Sequence, residues 1–230
     1  MLRARSRLDK QGRKQAILKA AGRIWAISTF DEFTMVAVSR EAGLAKGTLY
    51  LYFPTKEALL LALLDAALEQ RFGEIERDLS ALSGPCDFEG AERLLASTLL
   101  TDTGQVRLLA ILGTVLEHNI PRPDIRRFKK RLLAHLERIG GALEVCLSFL
   151  SRGEGVRFLL RLHAVIIGVA QLATPAPEVA KILKEKGFEP FRIDFDTELR
   201  AMLSILVRGS AGQARDKDTQ SKGGHDNGGR

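Results

Sequence analysis

The chain has only two cysteines in 230 residues, Cys86 and Cys146. That excludes a disulfide scaffold, and the pair is too sparse and too far apart in sequence for a zinc site. Histidine is scarce too: His118, His135, His163 and His225 fit no H-E-x-x-H or His-x-x-His pairing, so no metal is expected. There is no G-x-S-x-G elbow. Gly153-Glu154-Gly155 is only a fragment of a G-x-G-x-x-G pattern and follows no strand. These gaps argue against an enzyme and against a cofactor. Long apolar runs are missing as well. The most apolar stretch, residues 158–173, is broken by Arg161, His163 and Gln171, and it is shorter than the ~20 residues of a membrane span. The first residues, Met1-Leu2-Arg3-Ala4-Arg5-Ser6-Arg7, have no apolar segment behind them and read as no secretory signal. No segment alternates with period 2 between hairpin turns. The expectation is an all-α, cytoplasmic protein with no membrane partner. Its 45% apolar and 27% charged residues are ordinary globular composition.

Charge is unevenly placed. Residues 1–56 hold eleven Lys/Arg and four Asp/Glu, which accounts for the whole net charge of +7. Residues 57–230 are balanced. A basic end on a neutral body suggests nucleic-acid binding; a basic arm that serves solubility is the plainer alternative.

Apolar spacing is helical from the start. Ile17, Ala20, Ala21 and Ile24 form an i, i+3, i+4, i+7 stripe within a first helix at 9–28. Thr34 suits the N-cap of a short helix at 35–42, and Gly43 suits the position after its end. A second short helix at 46–52 stops before Pro54, which disfavours helix in the residue ahead of it. Thr55 then caps a long helix at 56–79. Helix, a three-residue turn and helix is helix-turn-helix spacing. Further helices are expected at 88–100, 106–118, 124–150 (capped by Asp124), 154–173 and 191–207. Residues 209–230 contain six glycines and no Ile, Leu, Val or Phe, and read as a disordered tail.

The run Ala42-Gly43-Leu44-Ala45-Lys46-Gly47-Thr48-Leu49-Tyr50-Leu51-Tyr52-Phe53-Pro54-Thr55-Lys56-Glu57-Ala58-Leu59 resembles the TetR family of bacterial transcriptional regulators. The likeness covers roughly residues 12–60. Thr29 stands where many members have Gly, and Met35 where many have a second Thr. The resemblance implies a basic arm with a three-helix helix-turn-helix DNA-binding domain over 1–56. It also implies a helical ligand-binding and dimerisation domain over 57–208, ahead of the tail. It further implies a homodimer on a palindromic operator, released by a small effector of unknown identity. An activator or partner-gated regulator of the same fold stays open; an all-helical enzyme and a non-specific nucleoid-type binder are disfavoured.

By that resemblance the helix at 46–52 enters the major groove. Lys46 can reach a phosphate or a guanine edge, and Gly47 allows close backbone approach. Thr48 can offer its hydroxyl to phosphate and its methyl to thymine, and Leu51 apolar base contact. Tyr50 and Tyr52, the only tyrosines, fall off the Leu49/Phe53 face and can bond phosphates. Thr34 and Lys56 are expected to touch phosphate, the latter helped by the helix start it sits on. Arg3, Arg5, Arg7, Lys10, Arg13 and Lys14 can lie along the backbone or minor groove. Ile24, Val38, Ala42, Leu44, Leu49 and Phe53 read as core.

In the body, Glu117, His118, His163 and Gln171 are candidate effector-contacting residues, being polar within apolar runs. His135 has the same character. Phe128, Phe149 and Phe158 read as core. The family resemblance also implies that the last two helices, at 154–173 and 191–207, pair with their twins in a dimer.

Overall fold

The computed structural model describes residues 2–81, 84–86, 88–99 and 103–223, with side chains described from Lys10 to Gly212 except at 88, 97–99 and 103. Among the described residues there is helix and no strand. The chain forms two compact units: Met1–Gln70 with Thr103–Phe128, and Arg71–Asp102 with Lys129–Arg230. A division at 56/57 would fall where the long helix begins, whereas the units change hands inside it.

The first unit contains α1 (Leu2–Ile27), α2 (Met35–Glu41), α3 (Lys46–Tyr52) and the first part of α4 (Lys56–Ser80). It also contains α6 (Thr103–Ile111), a π-helical turn at Leu112–Leu116, and the start of α7 (Arg122–Cys146). Helix α1 begins well before residue 9. The expected basic arm is therefore continuous helix as far back as Leu2. The side chains of Arg3, Arg5 and Arg7 lie outside the described residues. The core gathers Ile17, Ala20, Ala21, Trp25, Phe33, Val38, Leu49, Phe53, Leu59 and Leu60. Of the expected core residues, Ile24, Ala42 and Leu44 are only half-buried. Trp25 and Phe33, which meet edge to face at 5.9 Å, do more of the filling.

The second unit contains the rest of α4, α5 (Phe88–Leu99), most of α7, α8 (Gly155–Ala173), α9 (Pro177–Ile182), a 3₁₀ turn at Glu189–Phe191 and α10 (Phe195–Gly223). Helix α7 starts at Arg122, so Pro123 sits in its first turn. A missing N–H is harmless there. Asp124 therefore lies within that turn, where its charge suits the dipole, rather than capping it. Helix α8 alone among the described residues is long and apolar enough to cross a membrane by length and composition. In the structure Phe158, Leu162, Ile166, Val169 and Ala170 are its buried stripe, and it packs on α10. The start of α8 is met from α7: Glu144 Oε1 accepts from the helix's first N–H, that of Gly155 (2.7 Å), and from Gly153 N–H in the turn ahead of it (3.0 Å). Phe158 is fully buried, with Phe149 edge to face at 6.2 Å.

The C-terminal expectation needs correction. Residues 209–223 continue α10 instead of forming a disordered tail. Asp194 starts the helix by accepting from Thr197 N–H at 2.9 Å. Leu199, Leu203, Val207, Ser210 and Ala211 are all buried. That stripe carries the amphipathic spacing past Gly209. Residues 224–230 lie outside the described residues.

Candidate nucleic-acid interface

Helices α2 and α3 form a helix-turn-helix whose turns are set by a few polar contacts. Thr34 Oγ1 accepts from Ala37 N–H at 3.2 Å, capping α2. This uses a lone pair and leaves the hydroxyl proton to be donated. At the other end Gly43 N–H donates to Arg40 O (3.1 Å) and Leu44 N–H to Ser39 O (2.9 Å). That pair of reversed bonds requires a left-handed residue between them, and Gly43 has φ +65°. Leu49 then anchors α3, fully buried.

At 100° per residue, Gly47 and Leu51 point away from Leu49, with Thr48 and Tyr50 beside them. Leu51 is accordingly 84% exposed and Tyr50 41%. Lys46 and Gly47 are exposed, while Thr48 and Tyr52 are half-buried. A Cβ on Gly47 would meet nothing within 4 Å. The glycine thus relieves no internal crowding; it leaves an outward spot where another molecule can reach the backbone. The Lys46 ammonium lies 5.8 Å from the Tyr50 ring centroid. This places charge and ring on the same outward surface.

Thr34, Tyr50 and Lys56 are brought together around one cleft of about 350 Å³. Thr55 also lines it and caps α4 through Ala58 N–H at 3.1 Å. Lys56 has a further task. Its ammonium donates to Phe30 O at 3.1 Å and lies 3.8 Å from the Phe30 ring, so it fastens the turn between α1 and α2. Thr29, where the family resemblance leads one to look for Gly, builds that turn differently. Its N–H and hydroxyl both donate to Glu32 Oε2 at 2.9 Å. Those bonds hold the Glu32 carboxyl below the usual carboxylate range.

Comparison with known proteins agrees with this geometry. Residues 17–63 match the bacterial regulatory proteins of the tetR family, and residues 65–214 match the tetracyclin repressor-like C-terminal domain. The chain belongs to the TetR family. It is 35% identical over 131 residues to the HTH-type transcriptional regulator EthR of Mycolicibacterium smegmatis, covering 57% of this chain and 58% of that protein. It is 30% identical over 71 residues to the fatty acid metabolism regulator protein of Bacillus subtilis, covering 31% and 37%. The chain thus spans less than two thirds of these curated relatives. Among solved structures, a TetR-family structure from Mesorhizobium loti superposes with TM-score 0.56 at 17% identity, covering 88% of this chain and 96% of the other. The fatty acid degradation regulator FadR from Bacillus halodurans gives 0.52 at 18%, covering 86% and 97%. At these identities the structures speak for the fold alone.

In this TetR-family chain the end of α1 is held by a contact that sequence reading misses. Arg107, on α6, donates from Nη2 to Trp25 O (2.7 Å) and Ser28 O (2.6 Å), and its guanidinium lies 4.5 Å from the Trp25 ring centroid. Trp25 Nε1 donates in return to Gly104 O at 2.9 Å. Helix α1 has no basic residue in its own last turn; Arg107 supplies that charge from elsewhere. Partners 79 and 82 residues apart leave no periodic trace in the sequence. Arg107→Ala removes two charged hydrogen bonds and a cation–π contact, and lowers unfolding free energy by about 2 kcal/mol. Urea denaturation checks this; an unchanged midpoint would mean the clamp carries no energy.

The four effector candidates are divided between the units. Glu117 and His118 belong to the first. Glu117 follows the π-helical turn with Oε1 buried, whereas His118 is exposed. His163 and Gln171 lie on α8 in the second, half-buried and exposed respectively. None of the four lines the second unit's charged cleft, about 410 Å³, which includes Glu92, Arg93, Leu203 and Arg208. His135 is buried against Phe72 at 5.0 Å between ring centroids and lies beside Arg138, with Nδ1 and Nη2 2.6 Å apart. It is a packed polar residue. Burial, and then the Lys129 charge, push His163 below its ordinary value of 6.5. The folded state thus disfavours the protonated ring, and the unfolded chain binds more protons below pH 6.5. Stability is fully present above that value and declines as pH falls towards the folded pKa. His163→Gln should flatten this part of a stability-against-pH curve; an identical slope would show that another group titrates there.

Proposed function

We propose that the protein is a homodimeric, sequence-specific DNA-binding transcriptional repressor that leaves a palindromic operator when a small effector binds. The observation that carries the reading is the outward face of α3. Gly47 and Leu51 lie at its centre, a large apolar side chain stands in water, and Lys46 and Tyr50 flank it. Such a face suits a major groove: the apolar side chain meets thymine methyls, and the cation and hydroxyls meet base edges or phosphates. Thr34, Thr48, Tyr52 and Lys56 are assigned to phosphate contact. For Lys56 this means exchanging the Phe30 carbonyl for phosphate oxygen. The dimer is supported by apolar side chains left in water on α8 and α10: Leu160 (46% exposed), Leu172 (61%) and Ile205 (64%). An effector releases DNA only by binding the non-DNA conformation better. Glu117 and His163, the less exposed of the four candidates, are the first to substitute when an effector is sought.

The test is selection of bound sequences from a random DNA pool at stated salt, because phosphate contacts make affinity salt-dependent. The expected result is an enriched palindrome with half-sites about one helical turn apart, centre to centre. Affinity for random DNA equal to that for the best selected sequence would overturn the reading.

A further inference from the structure

The only two cysteines of the chain lie 60 positions apart, yet the fold brings them together within the second unit. Cys86 precedes α5, and Cys146 is the last residue of α7. Cys86 N–H donates to Cys146 O at 2.7 Å. With N···O at 2.7 Å, the bond lengths alone hold the two Cα atoms within about 6.6 Å, inside the limit a disulfide spans. The Cys86 side chain also lies close enough to Cys146 to act on its thiol. Their surroundings differ: Cys86 is half-exposed and Cys146 is buried. Burial first, and the neighbouring Cys86 second, push the Cys146 thiol above its ordinary value and keep it protonated. Two cysteines that merely fill space would need neither the partial exposure of Cys86 nor the backbone bond that joins the pair.

We propose that Cys86 and Cys146 form a reversible dithiol site for oxidants of the peroxide class, with Cys86 the sulfur attacked first and Cys146 the sulfur that closes the disulfide. The Cys86 thiolate attacks one peroxide oxygen; the O–O bond breaks, giving a Cys86 sulfenic acid and hydroxide. Cys146 loses its proton and attacks the Cys86 sulfur. The S–S bond forms, the S–O bond breaks, and the leaving hydroxide takes up a proton to become water. In sum, two thiols and one hydrogen peroxide give a disulfide and two waters. The bond ties the end of α7 to the segment ahead of α5.

The experiment treats the reduced full chain with hydrogen peroxide, then alkylates remaining thiols in denaturant and weighs the product. The expected product has lost both thiols together and weighs two hydrogen masses less. It runs as a single chain without reductant and recovers with dithiothreitol. In Cys146→Ser, or Cys146→Ala should the serine disturb the buried site, Cys86 stops at the sulfenic acid and takes up dimedone. Disulfide closure in the native chain is about tenfold faster than in urea, because the fold supplies the proximity. Equal rates in the two conditions, two thiols still alkylated after oxidation, or a linkage chiefly between chains would each overturn the proposal.

Discussion

Replacing Lys46 by Ala and Tyr52 by Phe together should lower affinity for the selected operator roughly 30- to 100-fold, while the fold stays intact. The loss corresponds to about 2–3 kcal/mol, which is what one charged contact and one hydroxyl contact supply. The structure explains why the fold should not suffer. Lys46 is exposed, and its one ring contact, to Tyr50 at 5.8 Å, is of the weak surface kind. Tyr52 is half-buried, and Phe keeps its ring while removing only the hydroxyl. Leu49, which anchors the helix, is untouched. If Lys46 pairs with phosphate, the slope of log affinity against log salt also falls by about 1. Anisotropy titrations at several salt concentrations, with circular dichroism as the control for fold, measure all of this. Native affinity in the double variant would remove α3 from the DNA interface.

The helix-turn-helix was legible because its signals are local. Thr34, Gly43 and Pro54 each act on backbone groups a few residues away, and Lys46–Tyr52 emerges with the expected bounds. Other boundaries failed where a local signal had two meanings. Pro177 closes the connection after α8 but also opens α9 as its first residue, since a proline ring fits a first turn. Pro123 did the same for α7. The glycines after 208 suggested a chain with too little to bury. Ser210 and Ala211 nevertheless continue the inward spacing of Leu203 and Val207, and small side chains suffice where a neighbouring helix is close. The arginines of residues 3–7 suggested an arm, although Arg is also a good helix former.

Tertiary contacts explain the rest of what the sequence withheld. The Arg107–Trp25 clamp and the meeting of Cys86 and Cys146 join positions far apart in the chain, the Glu144 cap on α8 reaches across the turn between two helices, and no periodicity marks any of them. The candidate DNA face was readable residue by residue, whereas the effector candidates were not. A polar residue inside an apolar run is visible in sequence, but the company it keeps is decided by packing between helices. Glu117 and His163 consequently end up in different units.

Gly155→Ala should destabilise the protein by about 3 kcal/mol, although it adds one methyl group. The reason is a backbone-to-backbone approach of α7 and α8. A Cβ on Gly155 would stand 2.6 Å from Gly140 Cα and closer still to the Gly140 carbonyl; a Cβ on Gly140 would stand 2.8 Å from Val156 N. No flexible side chain is available to yield, so the helices must part or the start of α8 must shift. Either movement also disturbs the bonds from Gly153 and Gly155 N–H to Glu144. Overpacking against a well-filled core costs roughly 1–3 kcal/mol, and loss of a helix cap adds about 1 more. Gly141 is the control within the same helix turn. It is exposed, with nothing within 4 Å of where its Cβ would be. Gly141→Ala should therefore stabilise by about 0.5–1 kcal/mol through the lower entropy of the unfolded chain. Opposite signs in urea denaturation at Gly155 and Gly141 would establish that the close helix crossing, rather than glycine content, sets the stability of this region. Equal small effects at both positions would mean that α7 and α8 do not approach so closely in solution.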